Sequence, residues 1–328
     1  MAPDLDLEGI RAARQRLGAA ILTTPVHELA GPAVAAALPP GTRPVLKLEL
    51  LQVTGSFKPR GALLNVMALT DAERERGVCA VSGGNHAIAT AYAARRAGTR
   101  AWIVMLGTAS PLRAAQCRAW GAQVEFAGTI HEAFERAEAL SRTEGLTLIH
   151  PFEGLTTALG TATLGLELAG QVPDLGAVIV PVGGGGLAAG VAAAIKLARP
   201  GCEVFGVEPV GADTLRRSLE AGRPVGIERV QTIADSLGAP YAMPVSFGLC
   251  QRYLDGLVLV DDAALRGAMR YLLEHAKLAV EPAGAAATAA LLGPLRDRLA
   301  GRKVGLIVCG SNIDAASFAR LVAADDPE

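Results

Sequence analysis

The chain has 328 residues, of which 51% are hydrophobic and 19% charged, and its formal net charge is −1. This length and apolar content allow two packed domains, and the near-neutral charge argues against a nucleic acid or an anionic membrane surface as a partner. The apolar runs are broken by Gly, Pro or charge before they could span a bilayer, residues 1–6 show no signal-peptide pattern, and the five cysteines form no CxxC pair. We therefore expect a cytoplasmic protein with reduced thiols.

The predicted elements begin with a helix over residues 7–17, an extended segment over 23–26 and a strand over 45–51. Short β runs then alternate with helical runs, which is typical of a parallel βα unit. Its strands are expected at residues 78–82, 101–106, 123–127 and 146–149, and its helices at 87–97, 110–120 and 130–143. Ser110 and Pro111 suit the N-cap and first position of the middle helix.

A second alternation follows, with strands expected at residues 177–182, 204–207, 257–260 and 304–309 and helices at 158–169, 187–198, 263–276 and 283–292. The two series predict an α/β protein with two open, twisted parallel-sheet domains. If the strand over residues 45–51 belongs with the second series, the first series is an insertion of roughly 100 residues, the size of one domain.

The stretch over residues 54–62, TGSFKPRGA, places Lys58 between a predicted strand and a predicted helix. Ser56 can cap that helix, and Pro59 suits its first turn. Apolar Phe57 and the nearby helix N-terminus both favour the neutral amine of Lys58, which is a nucleophile. The alternative is an ordinary surface lysine at a helix start.

Four consecutive glycines, Gly183, Gly184, Gly185 and Gly186, lie between a predicted strand and a predicted helix. Backbone N–H groups exposed at a helix N-terminus favour a phosphate. No Lys-Ser/Thr pair follows, so the loop is not a P-loop. A dinucleotide is an alternative, because Gly183-x-Gly185-x-x-Ala188 fits GxGxxG/A and Glu208 ends the next strand where a ribose-binding acid would lie.

Another strand-to-helix turn consists of Ser82, Gly83, Gly84, Asn85 and His86. Its backbone donors and hydroxyl suit a carboxylate, and the Asn85 amide could bond a phenolic oxygen; a capped tight turn is the alternative. We expect His86 to pack or cap rather than to catalyse. Cys309 closes the last predicted strand, where a small polar side chain faces the crevice of a parallel sheet, although a plain buried thiol is the simpler interpretation.

Together these segments resemble the fold-type II pyridoxal phosphate enzymes of the serine/threonine dehydratase and serine racemase group, from about residue 7 to residue 317. The resemblance implies that Lys58 is the Schiff-base lysine and the base for the substrate's α proton, and that Phe57 packs against the cofactor ring. It also implies a large domain over residues 1–52 and 151–328, interrupted by a small domain over 53–150.

The same resemblance assigns the remaining segments. The loop from Ser82 to His86 holds the substrate carboxylate, with Asn85 on the cofactor's 3′ oxygen. The four glycines bind the phosphate, and Cys309 lies against the pyridine nitrogen. Glu208 and Ala212 align with ligands of a divalent cation, Mg or Ca, but the third ligand position falls on Thr214, a weaker ligand. A homodimer is the family expectation.

The implied reaction is elimination of water from L-threonine or L-serine, giving a 2-oxo acid and ammonia. Racemisation, 3-hydroxyaspartate dehydration, β-replacement, cofactor binding without catalysis and a nicotinamide-dependent oxidoreductase remain alternatives. Gly83 stands where the racemase has an acid/base serine, so we expect poor racemisation. The pocket segments, residues 236–240 and the loop at Ser82, contain no Arg that would demand a second carboxylate, although one could arrive from elsewhere in the fold.

Overall fold

The computed structural model describes residues 4–324. Residues 1–3, part of the segment in which no signal peptide is expected, lie outside the described residues. The helices are α1 (Leu7–Leu17), α2 (Pro32–Ala37), α3 (Pro59–Met67), α4 (Asp71–Arg76), α5 (Asn85–Ala97), α6 (Pro111–Ala119), α7 (Ile130–Glu144), α8 (Leu155–Gln171), α9 (Gly186–Ala198), α10 (Thr214–Ala221), α11 (Pro244–Tyr253), α12 (Asp262–Ala276), α13 (Pro282–Leu292) and α14 (Ala315–Ala323). The strands are β1 (Val26–Glu28), β2 (Arg43–Lys47), β3 (Val78–Val81), β4 (Ala101–Leu106), β5 (Gln123–Ala127), β6 (Thr147–Leu148), β7 (Ala177–Pro181), β8 (Glu203–Pro209), β9 (Gly256–Val260) and β10 (Lys303–Ile307).

Two separate sheets organise these elements. The larger has the order β1-β2-β10-β7-β8-β9 and is parallel except for β1, which pairs antiparallel with β2. The smaller, β5-β4-β3-β6, is wholly parallel. The predicted α/β class with two parallel sheets is therefore confirmed.

Strand β2 belongs to the larger sheet because it pairs with β10. It ends at Lys47, and residues 49–51 form a 3-10 turn, so the predicted strand over 45–51 is only partly right. All strands of the smaller sheet lie between residues 78 and 148, the arrangement expected of an inserted unit. The boundaries at residues 53 and 150 stay a prediction, and Leu17 of α1 packs in the same hydrophobic cluster as Ile88 of the smaller unit.

The contact between α8 and α9 fixes the start of α9 beneath the glycine loop. It depends on small residues, because a Cβ on Gly190 would lie 2.1 Å from Oγ1 of Thr161, and one on Gly165 would lie 2.8 Å from the carbonyl oxygen of Val191. Thr161 also donates its hydroxyl to the carbonyl of Gly186 over 2.7 Å. The close crossing therefore holds the first residue of α9 in place.

The helix cap predicted at Ser56 is wrong, whereas Ser110 stands at the N-cap position of α6 as predicted but makes no capping hydrogen bond. The hydroxyls of Ser56 and Ser110 are buried and have no hydrogen-bond partner within residues 4–324. Lys58, with helical φ and ψ, is the residue that precedes α3, so Ser56 lies too far upstream to cap it. Pro59 and Pro111 do begin their helices as predicted. None of the helices in the described part is long and apolar enough to cross a membrane.

Candidate active site

One cavity of about 400 Å³ brings together segments that follow strands of both sheets. Its lining includes eight predicted site residues: Phe57, Lys58, Asn85, Gly183, Gly184, Gly185, Gly186 and Cys309. His86 instead lines an adjacent cavity of about 270 Å³, and Lys58 borders both cavities. These eight residues, which lie up to about 250 residues apart in the chain, therefore meet in one cavity at the carboxyl ends of β3, β7 and β10.

The amine of Lys58 lies at the centre of this site. Its Nζ donates a hydrogen bond to the carbonyl oxygen of Pro151 over 2.6 Å and lies 5.1 Å from the ring centroid of Phe57. Burial lowers the pKa of Lys58 to about 8, against the opposing effect of Cys309 and Glu281. At neutral pH a far larger fraction of Lys58 is therefore in the neutral amine form than of a surface lysine.

The glycine loop between β7 and α9 leaves no room for side chains. A Cβ on Gly184 would lie 2.2 Å from Cγ of Phe152, and one on Gly186 would lie 2.4 Å from the Phe152 carbonyl oxygen. Gly185 has φ +88°, a conformation that favours glycine. Helix α9 begins at Gly186 and has 13 residues. The N–H groups of its first turn have no partner within the helix, so they offer a site for a phosphate.

His150 fixes the phenyl ring that closes this loop. Its Nδ1 accepts hydrogen bonds from the backbone N–H groups of Phe152 and Glu153 over 3.3 and 2.9 Å. Burial lowers the pKa of His150 to about 4, so the ring is neutral and can accept them. Its ring also packs edge-to-face on Phe152, with 4.6 Å between centroids.

A buried network of amide and carboxyl groups forms another part of the cavity wall. Asn85 donates through Nδ2 to Glu281 over 2.6 Å and accepts at Oδ1 from Nδ2 of Asn312, also over 2.6 Å. The Asn312 amide donates in addition to the carbonyl of Thr54 over 2.7 Å. The amide of Asn85 is thus held in one orientation at the cavity surface.

Glu281 is a site residue to which sequence reasoning assigned no role. It is fully buried and lines the cavity with Asn85 and Cys309. Burial raises the pKa of Glu281 and raises that of the Cys309 thiol well above its usual value, so Cys309 is protonated at neutral pH. The available signal was an acidic residue between Val280 and Pro282 in an otherwise apolar segment.

The loop predicted to hold a carboxylate connects β3 to α5. The N–H of Gly84 donates to Oγ of Ser82 over 3.1 Å, and a Cβ on Gly83 would lie 2.9 Å from Cβ of Ala109. Nε2 of His86 lies 2.8 Å from the carbonyl oxygen of Ile149. Burial lowers the pKa of His86 to about 3, so the imidazole is neutral and packs, as expected.

An arginine does reach this region from elsewhere in the fold. Arg113 on α6 lies beside Gly84, with Nη1 3.7 Å from where a Cβ on that glycine would stand. Its guanidinium forms ion pairs with Asp235 and Glu281. The pocket segments lack arginine, but this does not exclude a substrate with a second carboxylate, because Arg113 lies nearby. Arg113, however, already has two acidic partners.

Glu208 and Ala212, the predicted cation ligands, lie where β8 leads into α10. Both carboxylate oxygens of Glu208 accept backbone N–H groups, from Leu215 over 2.8 Å and from Arg216 over 2.9 Å. The hydroxyl of Thr214 donates to the carbonyl of Ala239. Within residues 4–324 no group of three His, Cys, Asp or Glu side chains is suited to a metal ion. Glu208 therefore has its acceptors satisfied without a cation.

The donor set of the cavity suits pyridoxal phosphate. The glycine loop presents N–H groups but no side chain, so a phosphate can approach the backbone closely. The amine of Lys58 is available for an aldehyde, and the protonated thiol of Cys309 and the amide of Asn85 offer hydrogen-bonding groups at the same cavity.

Comparison with known proteins agrees with this fit. A sequence model of the family described as pyridoxal-phosphate dependent enzyme matches residues 19–310. The chain is 51% identical over 315 residues to the phenylserine dehydratase of Ralstonia pickettii, covering 96% of this chain and 95% of the relative. Maize serine racemase superposes with a TM-score of 0.91 at 33% identity over 97% of both chains. A threonine deaminase from T.th. gives a TM-score of 0.87 at 39% identity, over 94% of this chain and 99% of that one.

These matches favour pyridoxal phosphate over a dinucleotide at the glycine loop. A dinucleotide would also need Glu208 to bind its ribose, but the carboxylate of Glu208 already accepts two backbone N–H groups at the start of α10. The chain belongs to the pyridoxal-phosphate dependent enzyme family and has the fold-type II architecture of serine racemase and threonine deaminase.

Proposed function

We propose that the protein eliminates water from a β-hydroxy α-amino acid, L-threonine or L-serine in the first place, to give a 2-oxo acid and ammonia. The observation that carries this proposal is the amine of Lys58, with its lowered pKa, in a cavity closed by the glycine loop. The threonine deaminase and phenylserine dehydratase relatives support the same reaction class.

The cofactor would be held by groups already in place. The N–H groups of residues 183–186 would bind its phosphate, Phe57 would pack against its ring, and Asn85 and Cys309 would meet its 3′ oxygen and its pyridine nitrogen. Because the Cys309 thiol is neutral and a weak donor, the ring nitrogen would stay largely unprotonated. When bound, pyridoxal phosphate withdraws electrons from the α carbon of an amino acid joined to it and so acidifies the α proton.

Lys58 acts as the base in this scheme. Its neutral Nζ takes the α proton, and the electron pair of the broken Cα–H bond forms the Cα–Cβ double bond. The Cβ–O bond breaks with its electron pair on the departing hydroxide, and hydroxide and proton together leave as water. The enamine product tautomerises to an imine, and one water hydrolyses it to the 2-oxo acid and ammonia.

The loop from Ser82 to His86 would hold the substrate carboxylate through backbone N–H groups at the start of α5. Racemisation needs a proton donor on the face opposite Lys58. Gly83, at the corresponding position, has no side chain, and Ala109 lies where one would begin. Elimination is therefore favoured over racemisation, and β-replacement remains the other reaction open to the same cofactor.

A β-hydroxy amino acid with an aromatic side chain is a second candidate substrate. The phenylserine dehydratase at 51% identity suggests it. Phe152 and Leu237 line the cavity, and the Phe152 ring lies 6.1 Å from that of Tyr241, so an apolar surface is available to a phenyl group.

The test is 2-oxo acid release by the purified holoenzyme from L-threonine, L-serine, phenylserine, D-serine and 3-hydroxyaspartate. Lys58→Ala should abolish release from every substrate. Lys196→Ala, which removes a lysine paired with Asp255 at the end of α9, is the matched control and should leave it unchanged. Absence of oxo acid from all five compounds, with cofactor bound, would refute the proposal.

Three further expectations belong with this proposal. We propose that the protein works as a cytoplasmic homodimer, that residues 53–150 form the inserted small domain, and that a divalent cation, if it binds, does so at Glu208 and Ala212. Sedimentation tests the homodimer, and calorimetric titration of Ca²⁺ or Mg²⁺ into the unchanged protein and into Glu208→Gln tests the cation.

A further inference from the structure

A buried arginine stands directly behind the wall of the cavity. The side chain of Arg113 is only 7% exposed. Its Nε donates to the carbonyl of Asn312 over 2.8 Å, and Nη1 and Nη2 both face the carboxylate of Asp235. Nη2 also lies 3.4 Å from Oε2 of Glu281. An arginine so placed stays charged and must keep at least one anionic partner.

The two acidic partners of Arg113 are not equivalent. The side chain of Glu281 is 1% exposed and burial raises the pKa of that carboxyl, whereas the side chain of Asp235 is 61% exposed. The contact with Asp235 is also the shorter one. Asp235 is therefore the principal counter-ion of Arg113, and it is the partner that solvent can reach.

This ion pair lies beside the space that a substrate would occupy. The position of a Cβ on Gly84 is 3.7 Å from Nη1 of Arg113 and 3.9 Å from Oγ of Ser236. Ser236 lines the cavity and follows Asp235 directly in the chain. A carboxylate that extends from the substrate towards Ser236 would therefore meet the guanidinium if Asp235 were not there.

We propose that Asp235 acts as a built-in substitute for a substrate carboxylate, and so restricts the site to β-hydroxy amino acids with uncharged side chains. This inference rests on the proposed function and deepens it by naming the class of side chain. Without the charge of Asp235, the only anionic partner of Arg113 among the described residues would be Glu281, at 3.4 Å. A second carboxylate, such as that of 3-hydroxyaspartate, would then pair with the guanidinium.

The first measurement is binding to the holoenzyme by calorimetry, with succinate as the dicarboxylate and butyrate as the monocarboxylate. Asp235→Asn should bind succinate at least tenfold more tightly than the unchanged protein, while the affinity for butyrate changes little. Asp174→Asn is the matched control, because Asp174 is similarly exposed and pairs with Arg43 and Lys303 at the other end of the larger sheet. It should have no effect on either ligand.

The double variant Arg113→Gln, Asp235→Asn should lose the gain in succinate affinity, because the guanidinium is gone. A gain that persists in the double variant, or no gain in Asp235→Asn, would overturn the inference. If Asp235→Asn fails to fold, Asp235→Ser replaces it; failure of both would mean that the pair is purely structural, which also overturns the inference.

Turnover separates this inference from the proposed function. Asp235→Asn should raise the rate on 3-hydroxyaspartate relative to L-threonine by a similar factor. Because succinate binding requires no chemistry, tighter succinate binding without oxo acid release from any substrate would support the role of Asp235 and refute the dehydratase. Dehydratase activity without the gain in succinate binding would support the proposed function and refute the role of Asp235.

Discussion

The ring of Phe152 occupies the space that a side chain at Gly184 would need, since a Cβ there would lie 2.2 Å from Cγ of the ring. Phe152 is itself held by His150. Gly184→Ala should therefore displace the glycine loop and weaken cofactor binding by at least tenfold, as measured by titrating the apoenzyme with pyridoxal phosphate. Gly170→Ala, on α8 with no atom within 4 Å of its Cβ position, is the control. Equal affinity in the two variants would refute the phosphate role of the loop.

The lowered pKa of Lys58 predicts how the apoenzyme takes up its cofactor. Only the neutral amine attacks an aldehyde, so with a pKa of about 8 the reconstitution rate should rise about tenfold from pH 7 to pH 9 and then level off. An ordinary lysine, with a pKa near 10.4, would give a rise of about a hundredfold without a plateau. Stopped-flow absorbance in the visible region distinguishes the two profiles.

The sequence singled out Lys58, the four glycines and Asn85, because each lies at a strand-to-helix turn with an unusual local composition, and all of them line one cavity. It could not locate the partners of Asn85, which are 196 and 227 residues away in the chain. Arg113 and Asp235 are likewise 122 residues apart. Hydrophobic periodicity predicts which elements form but not which polar side chains meet when two sheets pack together.

Missed helices have a similar explanation. Helix α4 has no buried residue, so it carries no apolar stripe, although Thr70 and Glu73 form a capping box that could have indicated it. The start of α10 is held by Glu208, which lies in β8 and accepts the N–H of Leu215 seven residues later, a contact that periodicity does not reveal. The early end of β2 reflects the turn at residues 49–51, where the buried carboxylate of Glu49 meets Arg60.

Gly83 and Ala109 predict the outcome of an attempt to add racemase activity. The unchanged protein should form 2-oxo acid from L-serine at least tenfold faster than it forms D-serine. Gly83→Ser alone should be destabilised, because its Cβ would lie 2.9 Å from that of Ala109. The double variant Gly83→Ser, Ala109→Gly should recover stability and raise the rate of D-serine formation, measured by chiral chromatography. D-serine formation as fast as elimination in the unchanged protein would contradict this prediction.

Glu208 predicts a pH dependence of stability. Burial raises the pKa of the Glu208 carboxyl from 4.5 to about 8. Its contribution to the free energy of unfolding is therefore fully present below pH 4.5, where the carboxyl is protonated, and is lost as the pH rises through about 8. The glutamine in Glu208→Gln does not titrate, so only the unchanged protein loses this stability. The free energy of unfolding of the variant, relative to that of the unchanged protein, should therefore increase by about 2–4 kcal/mol from pH 5 to pH 8, since one pKa unit corresponds to about 1.4 kcal/mol. Urea denaturation measures this with a chelator present. A constant difference would contradict the raised pKa, and a smaller one with added Ca²⁺ would indicate a cation at the ionised carboxylate.

Arg60 predicts how strongly α3, and with it Lys58, depends on a buried ion cluster. The side chains of Arg60 and Glu49 are fully buried and joined by two hydrogen bonds of 2.8 Å, and Arg60 also bonds Glu167 over 3.0 and 2.8 Å. Lys47 forms a further ion pair with Glu167. Arg60→Ala would leave two carboxylates with too little positive charge, and it should lower the free energy of unfolding by about 3–5 kcal/mol in urea denaturation.

Arg43→Ala is the control for this prediction, because Arg43 is half-exposed in its ion pair with Asp174 and exposed pairs contribute little. The visible absorbance of the cofactor in each folded variant provides a second measurement. Since Arg60 lies in the first turn of α3, two residues after Lys58, its loss should also broaden or shift the band, which Arg43→Ala should leave unchanged. Similar stability losses in both variants would mean that the buried cluster gives α3 no more support than a surface pair does.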